Sequence, residues 1–285
     1  MTVDMKGRTC VITGASSGIG KEAARGLLAL GAEVVMLCRD PEKAEAARAD
    51  IAKTVGGDGS ERAHVVMCDL ASEADIRRVA SELNARFHQI HVLVHNAGAI
   101  NTERRESVDG HELTLAVNHL APMLLTHLLE DRLVASSPSR VITVASGAHW
   151  RGSVDFDDLQ SQRSYSQLGV YSATKLMNIL FARELARRLA GTGVVSNAVH
   201  PGFVHSGFGP QKGVLRTAWK LMRPLMISSE DGADGIVWLA SAPEAGNVSG
   251  EYFVKRKVAL SSPRSKDMDL ARRLWEVSAH LCGIT

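Results

Sequence analysis

Cys10-Val11-Ile12-Thr13-Gly14-Ala15-Ser16-Ser17-Gly18-Ile19-Gly20 decides how the chain is read. A short apolar run enters a loop of glycines and serines, and a helical pattern over about 18–30 follows. Glycines let a backbone turn tightly and approach a phosphate closely. The N-terminus of the helix behind them offers free N–H groups and a positive dipole end to an anion. The spacing is G-x-x-x-G-x-G, which differs from the G-x-G-x-x-G of the common dinucleotide fingerprint. Such a turn alone is weak, and its place on the first strand–helix junction gives it weight.

Outward from that loop the same alternation repeats. Runs at 34–38, 64–68, 91–95, 141–144, 194–199 and 252–254 read as strands. Helical patterns lie at about 41–54, after the Ser72/Asp75 capping spacing, at about 109–134 and at about 171–190. The strands are nearly continuous in apolar residues, as when both faces of a sheet are covered. Strand–helix alternation with short loops predicts right-handed crossovers and a parallel sheet. The expected fold is α/β: one Rossmann-type, doubly wound parallel sheet of about seven strands over 1–285, with a lid at about 206–229 and a helical tail at about 255–285.

Composition agrees with a globular chain. The 285 residues are 45% hydrophobic and 22% charged, with a net charge of +2, too small to imply a nucleic-acid partner. Cys10, Cys38, Cys68 and Cys282 form no C-x-x-C pair, and no metal site is expected. The first three fall in strand-like runs and read as buried core thiols, which points to a reducing, cytoplasmic setting. No stretch reaches the roughly 18 apolar residues of a membrane span, and the N-terminus does not read as a signal peptide.

Three motifs in order resemble the short-chain dehydrogenase/reductase family. They are T-G-x-x-x-G-I-G at 13–20, His95-Asn96-Ala97-Gly98 in place of N-N-A-G, and Y-x-x-x-K from Tyr171 to Lys175. Each is modest alone, and together they are very specific. The resemblance implies a nicotinamide cofactor and hydride transfer at a carbonyl or alcohol carbon. It implies cofactor contacts from Gly14, Ser16, Ser17, Gly18, Ile19 and Gly20 in the loop, and from Asp69 and Leu70 beside the adenine. Asn96, Ala97 and Gly98 would lie near the ribose, and Pro201, Gly202, Val204 and Ser206 near the nicotinamide. Asp69 could equally be a plain loop or cap residue. His95 replaces the family's first Asn, and nothing catalytic is carried over to it.

The second strand ends Cys38-Arg39-Asp40. NAD enzymes of this fold place a carboxylate near here on the ribose 2′-hydroxyl, whereas an arginine accommodates a 2′-phosphate. Arg39 lies 19 residues after Gly20, and a guanidinium fits a phosphate bidentately. NADP(H) is therefore favoured. Asp40 keeps NAD(H) open, although it also reads as the cap of the helix behind Pro41.

Tyr171 and Lys175, four residues apart on a helix, share one face. An ammonium near a phenol favours the phenolate, so a lowered tyrosine pKa is expected. Ser146, at the end of the fifth strand, is placed to bond the substrate oxygen. Asn118 matches the family asparagine that holds a water linking the lysine to solvent. A lone Tyr/Lys pair is more often a surface pair, but four positions matching in order favour catalysis by Asn118, Ser146, Tyr171 and Lys175. His200 and His205 lack a nearby carboxylate or third ligand and read as structural.

Ser146 and Tyr171 are 25 residues apart, longer than is common in the family. This insertion, followed by Lys175-Leu176, Asn178, Leu180-Phe181, Glu184-Leu185 and Arg188-Leu189, resembles the retinol dehydrogenase group. In the lid, Lys212, Arg216, Lys220 and Arg223 fall on one helical face, and Leu215, Ala218, Trp219, Met222, Leu225 and Met226 on the other. That pattern fits a lid packed on the body, the roof of a lipophilic pocket, or a peripheral membrane contact. The expected function is an NADP(H)-dependent carbonyl reductase or alcohol dehydrogenase for a small lipophilic substrate. The alternatives are reduction of a conjugated C=C bond and a non-catalytic dinucleotide-binding protein. Both monomer and homodimer fit; the two long helices could form a dimer interface, or the tail could cover them.

Overall fold

A computed structural model describes residues 3–203 and 227–284. Strands β1 (Thr9–Thr13), β2 (Glu33–Cys38), β3 (Ala63–Met67), β4 (Val92–His95), β5 (Ser139–Val144), β6 (Val194–His200), β7 (Tyr252–Val254) and β8 (Lys257–Val258) form one sheet. Its order is β3-β2-β1-β4-β5-β6-β7-β8, parallel except for the antiparallel β7/β8 pair. The expected seven strands are present within a residue or two at their ends. The eighth was not expected: two residues carry no periodicity, and β8 is defined by its pairing with β7.

Side chains alternate across the pleat. On β1, Val11 enters one layer while Cys10 and Ile12 enter the other. The Cys10 and Ile12 side is covered by α1 (Gly18–Ala29), α2 (Pro41–Val55) and α7 (Ser229–Ser241). The Val11 side is covered by α3 (Glu73–Arg86), α5 (Ala121–Ala135), α6 (Gln167–Arg188) and the tail helix α8 (Met268–Leu281). All four cysteines are free and buried, and burial pushes Cys10, Cys68 and Cys282 up to about 12 and Cys38 to about 11. They are inert thiols, as the sequence suggests.

Two helices depart from their expected bounds. The pattern at 109–134 becomes α4 (Leu113–Leu115), a π-helical turn (Ala116–Leu120) and α5. Glu112, fully buried, accepts from the N–H groups of Thr114 and Leu115 and starts the helix there. Pro122 has no N–H for the Asn118 carbonyl four residues back, and the ladder widens into the π turn at that point. The pattern expected at 171–190 begins earlier, at Gln167, because Ser166 caps it by accepting from Gly169 N at 3.3 Å. Tyr171 therefore sits in the second turn.

The surplus length has a packing role. Val154, Phe156 and Leu159 of the insertion join the same apolar layer as Met268, Leu270 and Trp275 of the tail. Trp275 stacks on Phe181 at 5.7 Å with an interplanar angle of 5°, and the Arg188 guanidinium lies 4.5 Å above the Trp275 ring. His119 Nε2 meets the Ser278 hydroxyl at 2.8 Å. The tail helix thus lies on α6 and the π turn, part of the face the sequence leaves open to a second copy. Among the described residues no helix is long and apolar enough to cross a membrane.

Candidate active site

Strand order reverses beside β1, whose neighbours are β2 and β4, and the loops leaving the carboxyl ends of these strands face a common crevice. The glycine loop is built into this crevice by contact. Gly14 has φ +67° and lies against Ala97, so that a Cβ would sit 3.0 Å from the Ala97 Cα. A Cβ on Gly20 would meet Asn96 Nδ2 at 2.3 Å and the Gly14 carbonyl at 2.5 Å. Asn96 Nδ2 donates to the carbonyls of Thr13 at 2.9 Å and Gly14 at 3.3 Å. Asn96 and Ala97 both donate their N–H groups to Thr13 Oγ1 at 3.0 Å. Loop and strand end therefore lock to each other.

The residues present fit a dinucleotide. Ser17 caps α1 with no side-chain bond, and the first turn carries no acidic residue, so its N–H groups and positive dipole end remain available to a pyrophosphate. Gly18 takes φ +54°, and Ile19 packs on the α1 side of the core. Ser16 hydrogen-bonds the Cys38 thiol at the end of β2, placing both beside the next residue, Arg39. Arg39 is exposed and makes no hydrogen bond or ion pair among the described residues. Asp40 caps α2 by accepting from Lys43 N at 3.1 Å and pairs with Lys43 Nζ at 2.7 Å. Its capping reading is the one the geometry shows.

Asp69 Oδ1 accepts from Ala71 N at 3.0 Å, and its own N–H donates to Asp75 Oδ2 at 2.6 Å, fixing the turn at which Leu70 packs on the core. Gly98 is exposed beyond Ala97. Pro201 and Gly202 follow β6, with Gly202 at φ +94°. Val204, Ser206, His205 and both faces of the expected lid lie outside the described residues.

Ser146, Tyr171 and Lys175 converge at the end of β5. Lys175 Nζ donates to the Val144 carbonyl at 2.9 Å, and Asn178 Nδ2 donates to the same oxygen at 3.1 Å. The ammonium sits 5.6 Å from the Tyr171 ring centroid. The expected fall in the tyrosine pKa is not what this arrangement gives. Burial raises Tyr171, and a hydrogen bond to the Ser146 side chain only opposes it. Burial likewise lowers Lys175 to about 8. Desolvation favours the neutral form of both groups and outweighs their attraction.

The Asn118 side chain is engaged within the protein. Its Oδ1 accepts from Ala99 N at 2.6 Å, and its Nδ2 donates to Ala99 O and to Thr174 Oγ1, both at 3.0 Å. Thr174 Oγ1 in turn donates to the Tyr171 carbonyl at 2.9 Å. The side chain braces the Tyr171 helix against the loop after β4 and has little capacity left for water. The Asn118 backbone carbonyl finds no N–H at Pro122, four residues on. His200 is pushed down to about 4, with burial as the main cause, and is neutral at physiological pH. His95 bonds Thr126 Oγ1 at 2.7 Å inside the core, so its exchange for the family's Asn is structural.

The Lys175 burial carries a stability cost with a defined pH range. The group drops from 10.5 unfolded to about 8 folded, so the folded state holds fewer protons between those values, and stability from this group rises with pH there. Below about pH 8 the full cost is present. Lys175→Met removes it, while Asn178 still serves the Val144 carbonyl. The cofactor-free variant is expected to melt about 2–6 °C higher at pH 7, with the gain shrinking toward pH 10. Thermal melts at both pH values check this, and a lower midpoint at pH 7 would contradict it.

Comparison with known proteins agrees with the fold and the motifs. The short chain dehydrogenase family model matches residues 8–214. The chain is 42% identical over 282 residues to retinol dehydrogenase 12 of Homo sapiens, covering 99% of this chain and 88% of that protein. It is 39% identical over 285 residues to retinol dehydrogenase 13 of Homo sapiens, covering 98% and 85%. A crystal structure of an uncharacterized protein from Mycobacterium Paratuberculosis superposes with a TM-score of 0.80 at 32% identity, covering 99% of this chain and 96% of that one. A protein from Beutenbergia cavernae, described as an NAD(P) dependent gluconate 5-dehydrogenase with NADP bound at low occupancy, superposes with a TM-score of 0.70 at 28% identity, covering 89% and 97%. Fold, motif order and these matches together make the chain a member of the short-chain dehydrogenase/reductase family, in its retinol dehydrogenase-like branch.

Proposed function

We propose that the protein is an NADP(H)-dependent oxidoreductase acting on the carbonyl or alcohol carbon of a small lipophilic substrate. The observation that carries this reading is the meeting of Ser146, Tyr171 and Lys175 at the carboxyl end of β5, on the same sheet edge as the glycine loop that follows β1. Bound NADP(H) would supply or accept the hydride at the substrate carbon. Ser146 Oγ accepts from Ala148 N at 3.2 Å and its side chain bonds Tyr171, which sets the hydroxyl where it can turn toward the substrate oxygen. Tyr171, held as the neutral phenol by burial, carries the proton that the developing alkoxide needs. Lys175, charged below about pH 8, would hold the ribose and ease proton loss from Tyr171. The Asn118 carbonyl, which finds no N–H at Pro122, would hold the water that resupplies the proton.

Two further features support the substrate class. The relatives are named retinol dehydrogenases, so their alcohol is lipophilic. Trp150 and Leu168 are 53% and 57% exposed, at positions close in sequence to Ser146 and Tyr171. Large apolar side chains left open beside a site suit an apolar ligand. A panel of retinal, steroid ketone and enone substrates with product identification tests the class. Reduction at the C=C bond alone would replace carbonyl chemistry with the alternative.

NADP(H) preference rests on Arg39, which has no partner among the described residues and follows β2, and on Asp40, engaged in capping α2. A charge-assisted contact to a phosphate is worth about 1.5–3 kcal/mol. Arg39→Asp is therefore expected to weaken NADPH about 30–100-fold. NADH should change by no more than about threefold, because it lacks the 2′-phosphate. Fluorescence titration of both cofactors measures this, and equal losses would remove Arg39 from the role.

A further inference from the structure

Ser146 ends in extended backbone, φ −158° and ψ 156°, and opens a one-turn 3-10 helix, Gly147–Arg151. Its carbonyl accepts twice from His149, from the backbone N–H at 3.1 Å and from ring Nδ1 at 2.7 Å. On the far side of the ring, Nε2 lies 3.1 Å from Ser262 N, 113 residues away in sequence. A backbone N–H only donates, so Nε2 presents its lone pair and the ring proton sits on Nδ1, directed at the Ser146 carbonyl. The neutral imidazole thus has one donor and one acceptor, and both are used. It is fully buried, 4.9 Å from the Tyr252 ring of β7 and 5.6 Å from Trp150.

The tail turn on the other end of this link is itself rigid. Ser265, fully buried, donates its hydroxyl to the Ser262 carbonyl at 2.6 Å and pairs with the Ser261 hydroxyl at 2.8 Å. Arg264 Nη1 donates to the Gly152 carbonyl at 3.1 Å, tying the far end of the Ser146 turn to the same segment. We propose that His149 is a positioning residue through which the tail turn at 261–266 fixes the Ser146 peptide and so aims its hydroxyl toward Tyr171. This rests on the reading of Ser146 as the group that orients the substrate oxygen. His149 acts through the Ser146 peptide and need not touch substrate.

The test uses all-trans-retinal reduction by NADPH in the full chain and in His149→Phe, His149→Gln and Ser265→Ala. Phenylalanine keeps the ring packing on Tyr252 and loses both polar bonds. Its kcat is expected to fall about 10–30-fold, since displacements of about 1 Å cost up to about 10²-fold, with KM for NADPH unchanged. Glutamine can donate to the Ser146 carbonyl and accept from Ser262 N, and is expected within about threefold of the parent. Ser265→Ala should lose less, and add nothing in the His149→Phe background. A Phe variant with unchanged kcat, a Gln variant as poor as Phe, or fully additive losses would overturn the proposal. Hydrogen exchange over 144–152 reads the link without turnover: it should quicken in His149→Phe and Ser265→Ala while the rest of the sheet is unaffected. If the parent reduces no aldehyde, the functional reading fails, and unchanged exchange at 144–152 would separately sink the positioning role. If His149→Phe does not fold, Ser265→Ala and His149→Gln carry both measurements.

Discussion

Tyr171→Phe is expected to lose about 10³-fold or more in turnover while binding NADPH as the parent does. The substitution deletes one oxygen and leaves the ring, so the packing beside Lys175 is kept. In the proposed reaction the phenol is the proton source for carbonyl reduction, and burial keeps it protonated near neutrality. The remaining hydroxyl, Ser146, can hold the substrate oxygen but has no basic neighbour among the described contacts to resupply a proton. Stopped-flow reduction of all-trans-retinal, with a separate cofactor titration, separates the two effects. Residual activity within tenfold of the parent would refute the role.

Gly20→Ala is the second large effect, and it acts on the cofactor cradle. The new methyl would sit 2.3 Å from Asn96 Nδ2 and 2.5 Å from the Gly14 carbonyl. The amide could swing away only by giving up the Thr13 and Gly14 carbonyls. The Gly14 carbonyl is backbone and cannot swing at all without moving the loop, so Asn96→Ala is not expected to rescue the variant. Overpacking of this kind costs about 1–3 kcal/mol. Because the loop that moves is the one proposed to face the pyrophosphate, cofactor affinity should fall about 30-fold or more, beyond the loss of stability. Calorimetric titration with NADPH and thermal melts check the two separately. An unchanged dissociation constant would show that this loop does not carry the phosphates.

Much of the candidate site is legible along the chain because its parts are local. The glycine loop, Asn96-Ala97 and the Tyr171/Lys175 pair each lie within a single strand–helix junction or helix turn. Their contacts follow from which strands the loops leave. Arg39 and Asp40 were readable in the same way, and the structure separates the two by giving Asp40 the α2 cap. The electrostatics were not legible. Spacing shows that an ammonium lies near a phenol, but the sign of the Tyr171 shift depends on how much water the fold removes around both.

The longest misreading concerns the helix around Asn118. Periodicity at 109–134 predicts one continuous helix, yet a buried Glu112 starts it late and Pro122 opens a π turn within it. Proline at that position is visible in sequence; that the helix adapts by widening, and turns Asn118 toward Ala99 and Thr174, is a consequence of packing. His149 carries no motif at all. The only sequence signal is its place three residues after Ser146, and its partner lies 113 residues further on.

The sequence by itself determined seven strands of the sheet, their parallel sense, the glycine loop on the first strand–helix junction and the candidate residues Ser146, Tyr171 and Lys175, because periodicity and short-range spacing encode each of them. Tertiary structure alone decided what the surplus length does. The insertion after Ser146 and the tail beyond Val254 meet through Phe156 and Arg273, whose guanidinium lies 4.1 Å above the ring, and through the His149–Ser262 bond. Segments so far apart in the chain are brought together only by burying apolar surface on a shared layer. No local pattern records which distant segment will cover that surface.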